Sequence, residues 1–539
     1  MKNLLFRYKW LLVVVFVAAI LRLWQLGHVP PSLDWDEAAL GYNAYSILKT
    51  GRDEYGTRFP LVLRSFDDYK PPLYMYFAIP SVALFGLEPW AVRLPSAIAG
   101  VLAVVGTYFL VRELFGSSRI TYHLSLITSF LLAISPWHIQ FSRIAFEANI
   151  GVTINVWAVL ALLKGLEQRK FLLLSAFLFG LGLYAYHSER IFLPLLILML
   201  ALVFRKELLA RKKDVVIAVV IGILTVAPLV TVFLNPTTLL RLRGTSSFAD
   251  QTGLLARSVK KLDEDILRGN PWGMVFDNRR IVWAKTLVDG YLSHFSFKWL
   301  FLTGDNPRHH APDMGLLYLV ELPFLLWGML VVGKQGGRLS HILFGWFLVV
   351  PIAASPTTEL PHAIRSLIFL PTFQVFTAIG IISLYNRYNN YKGYIFRFCI
   401  WTLFIFNFIY YLHMYFGHMN QEVSESWQYG YKEAVAYTQS EGARYEKVVV
   451  STKLEQPHMF FLFYLKYDPV KYLAEGGTAS GGFAEVRNKF GRYEFRSIIW
   501  DKEVHDGTTL YIGSVGEIPQ ANLQTVRYLD GSEAMRIAR

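Results

Sequence analysis

Carboxylates are concentrated directly after the first apolar run of the chain. Those within residues 30–56 are Asp34, Asp36, Glu37, Asp53 and Glu54, and Asp67 and Asp68 follow. A carboxylate with a tuned pKa can act as a general base on a hydroxyl group. Neighbouring aromatic side chains such as Trp35 and Tyr42 can supply the partial burial that shifts a pKa, and a flat surface for a sugar. The stretch therefore predicts an acid–base site, with a solvated loop as the alternative.

One lysine follows these carboxylates in a distinctive setting. Lys70 lies in "SFDDYKPPLY" at residues 65–74, directly before two prolines that favour the start of a helix. An ammonium group at this point can hold a phosphate as a compact point charge. The alternative is an ordinary lysine that extends its charged end from the membrane toward water.

Ionisable residues recur at the ends of two later apolar runs. "SPWHIQFSRIAFEANIG" contains Arg143 and Glu147, which are four residues apart and could form a helical salt bridge. "YAYHSERIFLP" repeats the pattern with His187, Glu189 and Arg190. Because ionisable groups at the end of a membrane span are costly, they are also candidates for function.

A histidine-containing loop precedes another apolar run. The polar residues of "TGDNPRHHAPDMGLLY" at 303–318 include Asp305, Arg308, His309 and His310. Adjacent histidines with acids nearby can ligate a divalent metal, although this spacing matches no specific signature. "ELPHAIRSLIFLP" adds His362 and Arg365. We expect Arg365 to lie slightly inside the membrane, where it needs an anionic partner.

The composition indicates a membrane protein. The chain has 539 residues, of which 54% are hydrophobic and only 17% charged, against about 25% charged in soluble proteins. The net charge of +13 does not predict a nucleic-acid partner, because Lys and Arg cluster in short loops between apolar runs. The one cysteine, Cys399, excludes a disulfide framework, and its apolar surroundings predict a buried, unreactive thiol.

The nucleotide-binding and metalloprotease signatures are missing from the sequence. It contains no Walker loop, no Rossmann glycine pattern and no HExxH motif. We therefore expect no nucleotide cofactor. An enzyme on the outer face of a membrane has no ATP supply, so it needs a preactivated donor that the membrane delivers.

The chain contains about eleven apolar runs that approach the length of a membrane span. They lie near 10–27, 91–111, 120–137, 145–164, 170–187, 190–204, 214–234, 313–333, 339–354, 363–386 and 394–415. With this count, six basic loops fall on one face, which the positive-inside rule assigns to the cytoplasm. The segment 71–86 is short, contains Pro80 and would invert the later loops, so we expect an interfacial helix there. The chain is thus predicted to be a multi-pass protein of the cytoplasmic (plasma) membrane, with its polar site on the outer face.

The composition changes after residue 415. "YEKVVVST" and "TTLYIGS" predict strands, "PHMFFLFYLKY" predicts a helix, and "QTVRYLDGSEAMRIAR" predicts a hairpin with an Asp-Gly turn. We therefore divide the chain into a transmembrane domain at 1–415 and an outer-facing α/β domain at 416–539. The first domain has a first outer loop at 28–90 and a long outer loop at 235–312.

Several of these stretches together resemble a known family. "DWDEAALGYNAYSILKTGRDEYG", "DYKPPLYMY", "SRIAFEANIG", "YHSERIFLPLL", "NPRHHAPDMGLLYLVELPFLL" and "PHAIRSLIFLP" occur in the order found in GT-C glycosyltransferases. They are similar to bacterial protein O-mannosyltransferases and to the aminoarabinose transferases that modify lipid A. The resemblance covers roughly residues 1–415. It implies a polytopic α-helical membrane protein of GT-C type, with interfacial helices in the first outer loop.

The resemblance also implies an activity. A sugar would move, with inversion, from a polyprenyl-phosphate-linked donor to a hydroxyl or phosphate of a lipid, glycan or protein acceptor. Asp36 would be the acid–base residue, and Lys70 would bind the donor phosphate. In aminoarabinose transferases the residue before this lysine is an acid that helps to hold a metal, whereas this chain has Tyr69. Asp67 or Asp68 could substitute, so a divalent metal is an open expectation.

The predicted site therefore has several parts. The predicted catalytic residues are Asp36 and Glu37; the predicted phosphate ligands are Lys70, Arg365 and Arg143; the predicted substrate-binding residues are Tyr42, Tyr69, Glu147, His187, Arg190 and Arg308; and the candidate metal ligands are Asp68, His309 and His310. Preorganised cations would stabilise the phosphate as it leaves. The alternatives are a lipid-linked glycan transporter or flippase, favoured by Glu321 within an apolar run, and a structural protein that needs no Asp36–Lys70 pair.

Overall fold

The computed structural model describes residues 8–66, 68–116, 118–233, 247, 252–387, 391–479 and 488–539. Asp67, a candidate metal ligand, lies outside the described residues. The helices are Lys9–Leu23, Trp35–Thr50, Leu73–Phe85, Pro89–Phe115, Arg119–Ile134, Pro136–Arg143, Ala148–Gly165, Arg169–Gly182, Glu189–Val203, Arg205–Ala210, Lys212–Phe233, Thr252–Leu267, Gly273–Phe276, Arg279–Ser293, Leu322–Gln335, Gly337–Ala354, Thr372–Arg387, Tyr391–His413, Met419–Glu422, Tyr431–Ser440, Pro457–Tyr464 and Pro469–Ala474. The structure is therefore mostly helical, as predicted.

Six helices among the described residues are long and apolar enough to cross a membrane, and a bent pair would make a seventh. The predicted spans at 10–27, 170–187, 190–204 and 313–333 overlap helices of 15, 14, 15 and 14 residues. A 15-residue helix is only about 22 Å long, against roughly 30 Å for the hydrocarbon core. The predicted count of about eleven is therefore not confirmed, because several runs form helices too short to span without help.

The bent pair breaks where two helices share Ser135. Arg119–Ile134 and Pro136–Arg143 meet at 56°, because Pro136 begins a new helix. The carbonyls of Leu132 and Ala133 lie at this helix end, and they accept hydrogen bonds from the buried Arg22 guanidinium at 3.3 and 2.9 Å. A buried arginine thus stabilises the break.

The first loop contains helices that pack on one another. Trp35–Thr50 contacts Leu73–Phe85, and both share a buried apolar cluster with residues 431–537. Leu73–Phe85 has only 13 residues, which agrees with the prediction that 71–86 is too short for a span. Cys399 is exposed on the helix Tyr391–His413. The prediction of a buried thiol was therefore wrong, because an apolar helix can turn its side chains outward from the protein.

The C-terminal part of the chain contains a mixed sheet. The strands of the protein are β1 Leu63–Ser65, β2 Asp68–Lys70, β3 Lys447–Val450, β4 Lys489–Phe490, β5 Tyr493–Phe495, β6 Thr509–Gly513, β7 Gln524–Arg527 and β8 Glu533–Ala538. Strands β3–β8 form one sheet in the order β4-β5-β3-β6-β8-β7, with β3 parallel to β5 and β6. The predicted strands and hairpin coincide with β3, β6, β7 and β8. The outward orientation of this region stays a prediction.

Candidate active site

The start of the helix Trp35–Thr50 fixes the directions of its acidic residues. Asp34 caps this helix: its Oδ1 accepts a hydrogen bond from the Glu37 N–H at 2.8 Å, and Glu37 Oε2 accepts one from the Asp34 N–H at 3.3 Å. Successive helical residues point about 100° apart. As a result, Asp36 and Glu37 face different surroundings although they are neighbours in sequence.

Asp36 forms an ion pair with Lys70, which ends β2. The Asp36 side chain is 31% exposed and that of Lys70 is 6% exposed. Burial lowers the pKa of Lys70, but the carboxylates of Asp36, Glu147 and Asp68 outweigh it, so the pKa is raised. Lys70 is therefore a charged ammonium held beside an accessible carboxylate, and the structure brings together the two residues on which the predicted chemistry depends.

Glu37 faces the protein interior. Its carboxylate accepts hydrogen bonds from Arg93 Nε at 2.9 Å and Nη2 at 2.8 Å, and from the Ala145 N–H at 2.7 Å. Neither charged side chain is exposed. This geometry favours a positioning role for Glu37 over the predicted catalytic one. Sequence reasoning missed Arg93, although an arginine near the start of an apolar helix needs a partner.

Arg143 does not pair with Glu147 as neighbours on a helix, because the chain leaves helical geometry between them. The fully buried Arg143 donates to the carbonyls of Leu21 and Val29, both at 2.8 Å. Its guanidinium thus binds backbone near the end of the helix Lys9–Leu23, which does not support the predicted phosphate contact. Glu147, at the start of Ala148–Gly165, instead acts on the charge of Lys70.

Four of the predicted substrate-binding residues lie in three different surroundings. Tyr42 is buried, and its hydroxyl donates to the Tyr467 carbonyl at 3.2 Å, so it packs against the C-terminal region. His187 and Arg190 contact each other at 3.5 Å. Tyr69 lies in β2 directly beside Lys70, which leaves it close to the predicted site.

Two arginines of the later loops have different partners. Arg308 Nη1 donates to Asp34 Oδ2 at 2.9 Å, and its guanidinium lies 4.8 Å from the Trp35 ring centroid. Burial raises the pKa of Asp34 to about 7, although Arg308 opposes the shift. Arg365 Nη1 donates to Thr357 Oγ1 at 2.7 Å. Arg308 is therefore the arginine that reaches the acidic helix, whereas Arg365 contacts its own loop.

The predicted metal ligands do not come together as a set. Asp305, His309 and His362 each offer a ligand atom within 4.8 Å of the others. His310 Nδ1 lies 2.8 Å from the Ala311 carbonyl, and Asp68 belongs to β2. Asp68 and His310 lie outside this group, so their role as metal ligands stays a prediction.

The sequence and the fold of this chain are similar to those of known glycosyltransferases. Residues 69–231 match the family of dolichyl-phosphate-mannose-protein mannosyltransferases. Over 113 residues, the chain is 30% identical to YkcB of Bacillus subtilis (strain 168), a proposed mannosyltransferase. That match covers 21% of this chain and 15% of YkcB. These matches confirm the predicted resemblance.

Two solved structures are similar over most of the chain. ArnT from Cupriavidus metallidurans, bound to undecaprenyl phosphate, has a TM-score of 0.56 at 12% identity, and the match covers 98% of each chain. The Archaeoglobus fulgidus oligosaccharyltransferase has a TM-score of 0.50 at 14% identity. The latter match covers 85% of this chain and 64% of the oligosaccharyltransferase. At such identities the likeness shows a shared fold.

Proposed function

We propose that this protein is a membrane glycosyltransferase. It moves a sugar, with inversion, from a polyprenyl-phosphate-linked donor to a hydroxyl or phosphate of a lipid, glycan or protein acceptor. The observation that carries the proposal is the ion pair between Asp36 and Lys70, which places an accessible base beside a buried cation. A purely structural protein would not need an accessible carboxylate beside this buried cation.

The chemistry divides between the two residues. Asp36 accepts the proton of the acceptor as the acceptor oxygen attacks the anomeric carbon. The bond between that carbon and the phosphate oxygen breaks, and Lys70 compensates the charge that develops on the leaving phosphate. Phosphate is already a good leaving group, so the site chiefly positions the reactants.

The ion pair implies an order of events. The donor phosphate must compete with Asp36 for the ammonium of Lys70. When the phosphate binds, Asp36 loses its counter-charge and becomes a better proton acceptor. Donor binding therefore prepares the base before the acceptor reacts, which reduces the chance that the base acts without a donor in place.

Apolar grooves between helices suit the donor lipid. One groove of about 450 Å³ is lined by Val13, Phe130, Phe324 and Phe404, and a second of about 570 Å³ is lined by Leu172, Phe179 and Val219, among others. Both are almost entirely apolar, so a polyprenyl chain can lie in either without losing hydrogen bonds. Surrounding membrane lipid can fill the other.

The activity is tested directly in proteoliposomes. The purified protein is supplied with a synthetic polyprenyl-phosphate sugar and a mixture of candidate acceptors, and labelled product is measured. Transfer by the wild type and its loss in Asp36→Asn support the proposal. Transfer that is equal in both proteins removes Asp36 from the mechanism, and no transfer with any donor sugar contradicts the function.

The proposed placement at the outer face of the cytoplasmic membrane has its own test. We expect reporter fusions after residues 210 and 336 to report the cytoplasm, and fusions after 270 and 430 to report the outside. The basic loops predict this orientation. A fusion at 210 that reports the outside would overturn the arrangement.

One observation favours the transporter alternative. Glu321 is fully buried, and neither of its carboxylate oxygens has a hydrogen-bond partner among the described residues. Buried ionisable residues of this kind occur on proton and substrate pathways. Glu321→Gln decides between the two functions: an unchanged transfer rate supports the enzyme, whereas lost flipping of a labelled lipid-linked glycan supports the transporter.

A further inference from the structure

The predicted long outer loop contains a helical hairpin. Its two arms are the helices Thr252–Leu267 and Arg279–Ser293. Ser258 of the first arm donates a hydrogen bond to the Asp277 carbonyl, and Lys261 of the same arm pairs with the Asp277 carboxylate at 3.6 Å. These contacts hold the arms together, and we call this region the loop hairpin.

The tip of the loop hairpin carries large apolar side chains that the protein does not cover. Their exposed fractions range from 50% to 86%. They are Ile266, Leu267, Trp272, Met274, Val275 and Phe276. The Trp272 and Phe276 rings stack with their centroids 5.9 Å apart. An exposed apolar patch of this kind marks a surface that contacts a partner, because soluble surfaces rarely carry one.

Three exposed arginines border the tip. They are Arg268, Arg279 and Arg280. Two acids of the same region, Asp265 and Asp277, have polar partners within the hairpin. Apolar and aromatic side chains bordered by exposed cations are typical of segments that lie in the surface of a membrane, where the cations contact lipid phosphates. The composition of the tip therefore indicates a phospholipid partner.

The second arm is fixed at the level of the membrane. Tyr291 donates to the Leu348 carbonyl at 2.8 Å, and Leu348 belongs to the candidate span Gly337–Ala354. Leu348 precedes the end of this helix by six positions, which is about 9 Å along the axis. A side chain at Gly290 would meet the Ser355 carbonyl at 2.7 Å. The end of the arm therefore packs closely where this span ends.

Exposed apolar side chains follow the second arm back to the span. Val288 and Leu292 are exposed on the arm, as Leu348 and Ile352 are on the span. An upright arm of 15 residues would carry the tip about 22 Å away from the span and into water. An arm that lies in the membrane surface instead buries the tip in lipid, which is favourable because it removes apolar surface from water.

We propose that the loop hairpin is a membrane-docking element, which lies in the phospholipid leaflet on the side of the candidate active site. The tip enters the boundary between headgroups and acyl chains, and Arg268, Arg279 and Arg280 contact the lipid phosphates. This docking does not depend on the proposed transfer reaction, so the two proposals can fail separately.

Spin labels in the full-length protein test the docking in liposomes of phosphatidylcholine and phosphatidylglycerol. Cys399 is the one cysteine of the chain, so Cys399→Ser gives a background without thiols. Ile266→Cys and Met274→Cys then place labels in the patch. Glu264→Cys is the matched control, because positions 264 and 266 of one helix are rotated by about 200° from each other.

Collision rates with oxygen and with a nickel chelate give the depth of each label. The labels at 266 and 274 should lie roughly 5–10 Å below the lipid phosphates, and the label at 264 should lie at or above them. Chelate access at 266 and 274 equal to that at 264 would show an upright hairpin in water. Protection of both labels from oxygen and chelate would show that protein covers the tip. Either result would overturn the docking.

Photoreactive lipid tests the wild-type protein without any substitution. Trypsin cuts after Arg268 and Arg279, so it releases residues 269–279 as one peptide. A lipid with a photoreactive group near the glycerol end of its acyl chain should label this peptide in liposomes. Labelling of peptides from Gly337–Ala354 is the positive control. An unlabelled 269–279 peptide beside labelled span peptides would contradict the proposal.

Discussion

Asp36 and Glu37 are neighbours in sequence but belong to ion pairs of opposite kinds. The pair of Asp36 with Lys70 is accessible on the carboxylate side, with 31% of that side chain exposed. The pair of Glu37 with Arg93 is completely enclosed. Contact with solvent weakens an ion pair, whereas removing one member of a fully buried pair leaves an uncompensated charge. A rotation of about 100° between two successive helical residues thus separates an accessible carboxylate from an enclosed one.

The largest effect on activity should come from replacement of Asp36, the accessible carboxylate. Asp36→Asn keeps the side-chain shape but removes the base, so transfer should fall about 10²–10⁴-fold. The melting temperature should change less than in Glu37→Gln, because Asp36 is 31% exposed and the carboxylates of Glu147 and Asp68 still act on Lys70. Turnover with a synthetic donor and thermal unfolding check both parts. Full activity would assign the base to another residue.

Replacement of Glu37, the enclosed carboxylate, should lower stability. Glu37→Gln leaves the Arg93 guanidinium buried without a counter-charge, so the free energy of unfolding should fall by about 3–5 kcal/mol. Denaturant unfolding in detergent measures this loss. A double variant that also replaces Arg93 with Met should lose less than the two single variants together. A Glu37→Gln protein as stable as wild type would contradict the structural role.

Replacement of Lys70, the cation of the accessible pair, should weaken the stabilisation of the leaving phosphate. Lys70→Ala should lower kcat/KM by about 10²–10³-fold, the range for the loss of one group that stabilises developing charge. Lys70→Arg need not restore it, because a planar fork does not replace a compact ammonium. Arg365→Ala is the comparison, since Arg365 contacts Thr357. Equal losses in Lys70→Ala and Arg365→Ala would argue against this assignment.

Glu54 is a third carboxylate of the first loop, and the pH dependence of stability tests whether its surroundings are enclosed like those of Glu37. Glu54 is buried and accepts hydrogen bonds from Thr478 and Asn43. Burial raises its pKa from 4.5 to about 7, although these bonds oppose the shift. The folded state then holds the Glu54 proton more tightly than the unfolded chain does. Protonation of Glu54 therefore contributes to the free energy of unfolding in full below pH 4.5, and this contribution is lost as pH rises through about 7.

The expected result for Glu54→Gln is a flatter dependence of melting temperature on pH between 5 and 8. The variant should recover about 1–3 kcal/mol at pH 8 relative to wild type. Glu88→Gln is the control, because Glu88 is exposed and pairs with Lys466 at 2.6 Å, and it should keep the wild-type slope. If Glu54→Gln keeps the wild-type dependence of melting temperature on pH, a group other than Glu54 causes that dependence.

Local sequence and the family resemblance together predicted two residues that the structure brings into contact. Lys70 was predicted from its place before two prolines and Asp36 from the resemblance, and the structure pairs them. The inward direction of Glu37 was not predictable, because it depends on Arg93, which lies 56 residues away. The cluster of Asp305, His309 and His362 shows the same limit: two adjacent histidines suggested a pair, whereas the contact between His309 and His362 depends on the packing of two loops.

The fold was predictable to a similar degree. Apolar runs located the helices, because a membrane span needs little more than hydrophobic length. Helix ends depend on local caps and breaks that a run of apolar letters does not reveal. Arg143 illustrates this, since the helix Pro136–Arg143 ends at that residue. Its guanidinium donates hydrogen bonds to backbone carbonyls, whereas the sequence predicted a phosphate ligand.

The hydrogen bonds between Arg93 and the start of the first loop have a consequence for biogenesis. The Arg93 guanidinium binds carbonyls within residues 26–32 as well as Glu37, and Glu37 also needs the N–H of Ala145. Arg93 and Ala145 lie 56 and 108 residues beyond Glu37, so a ribosome synthesises them after it. The enclosed surroundings of Glu37 can therefore form only after residue 145 has been synthesised.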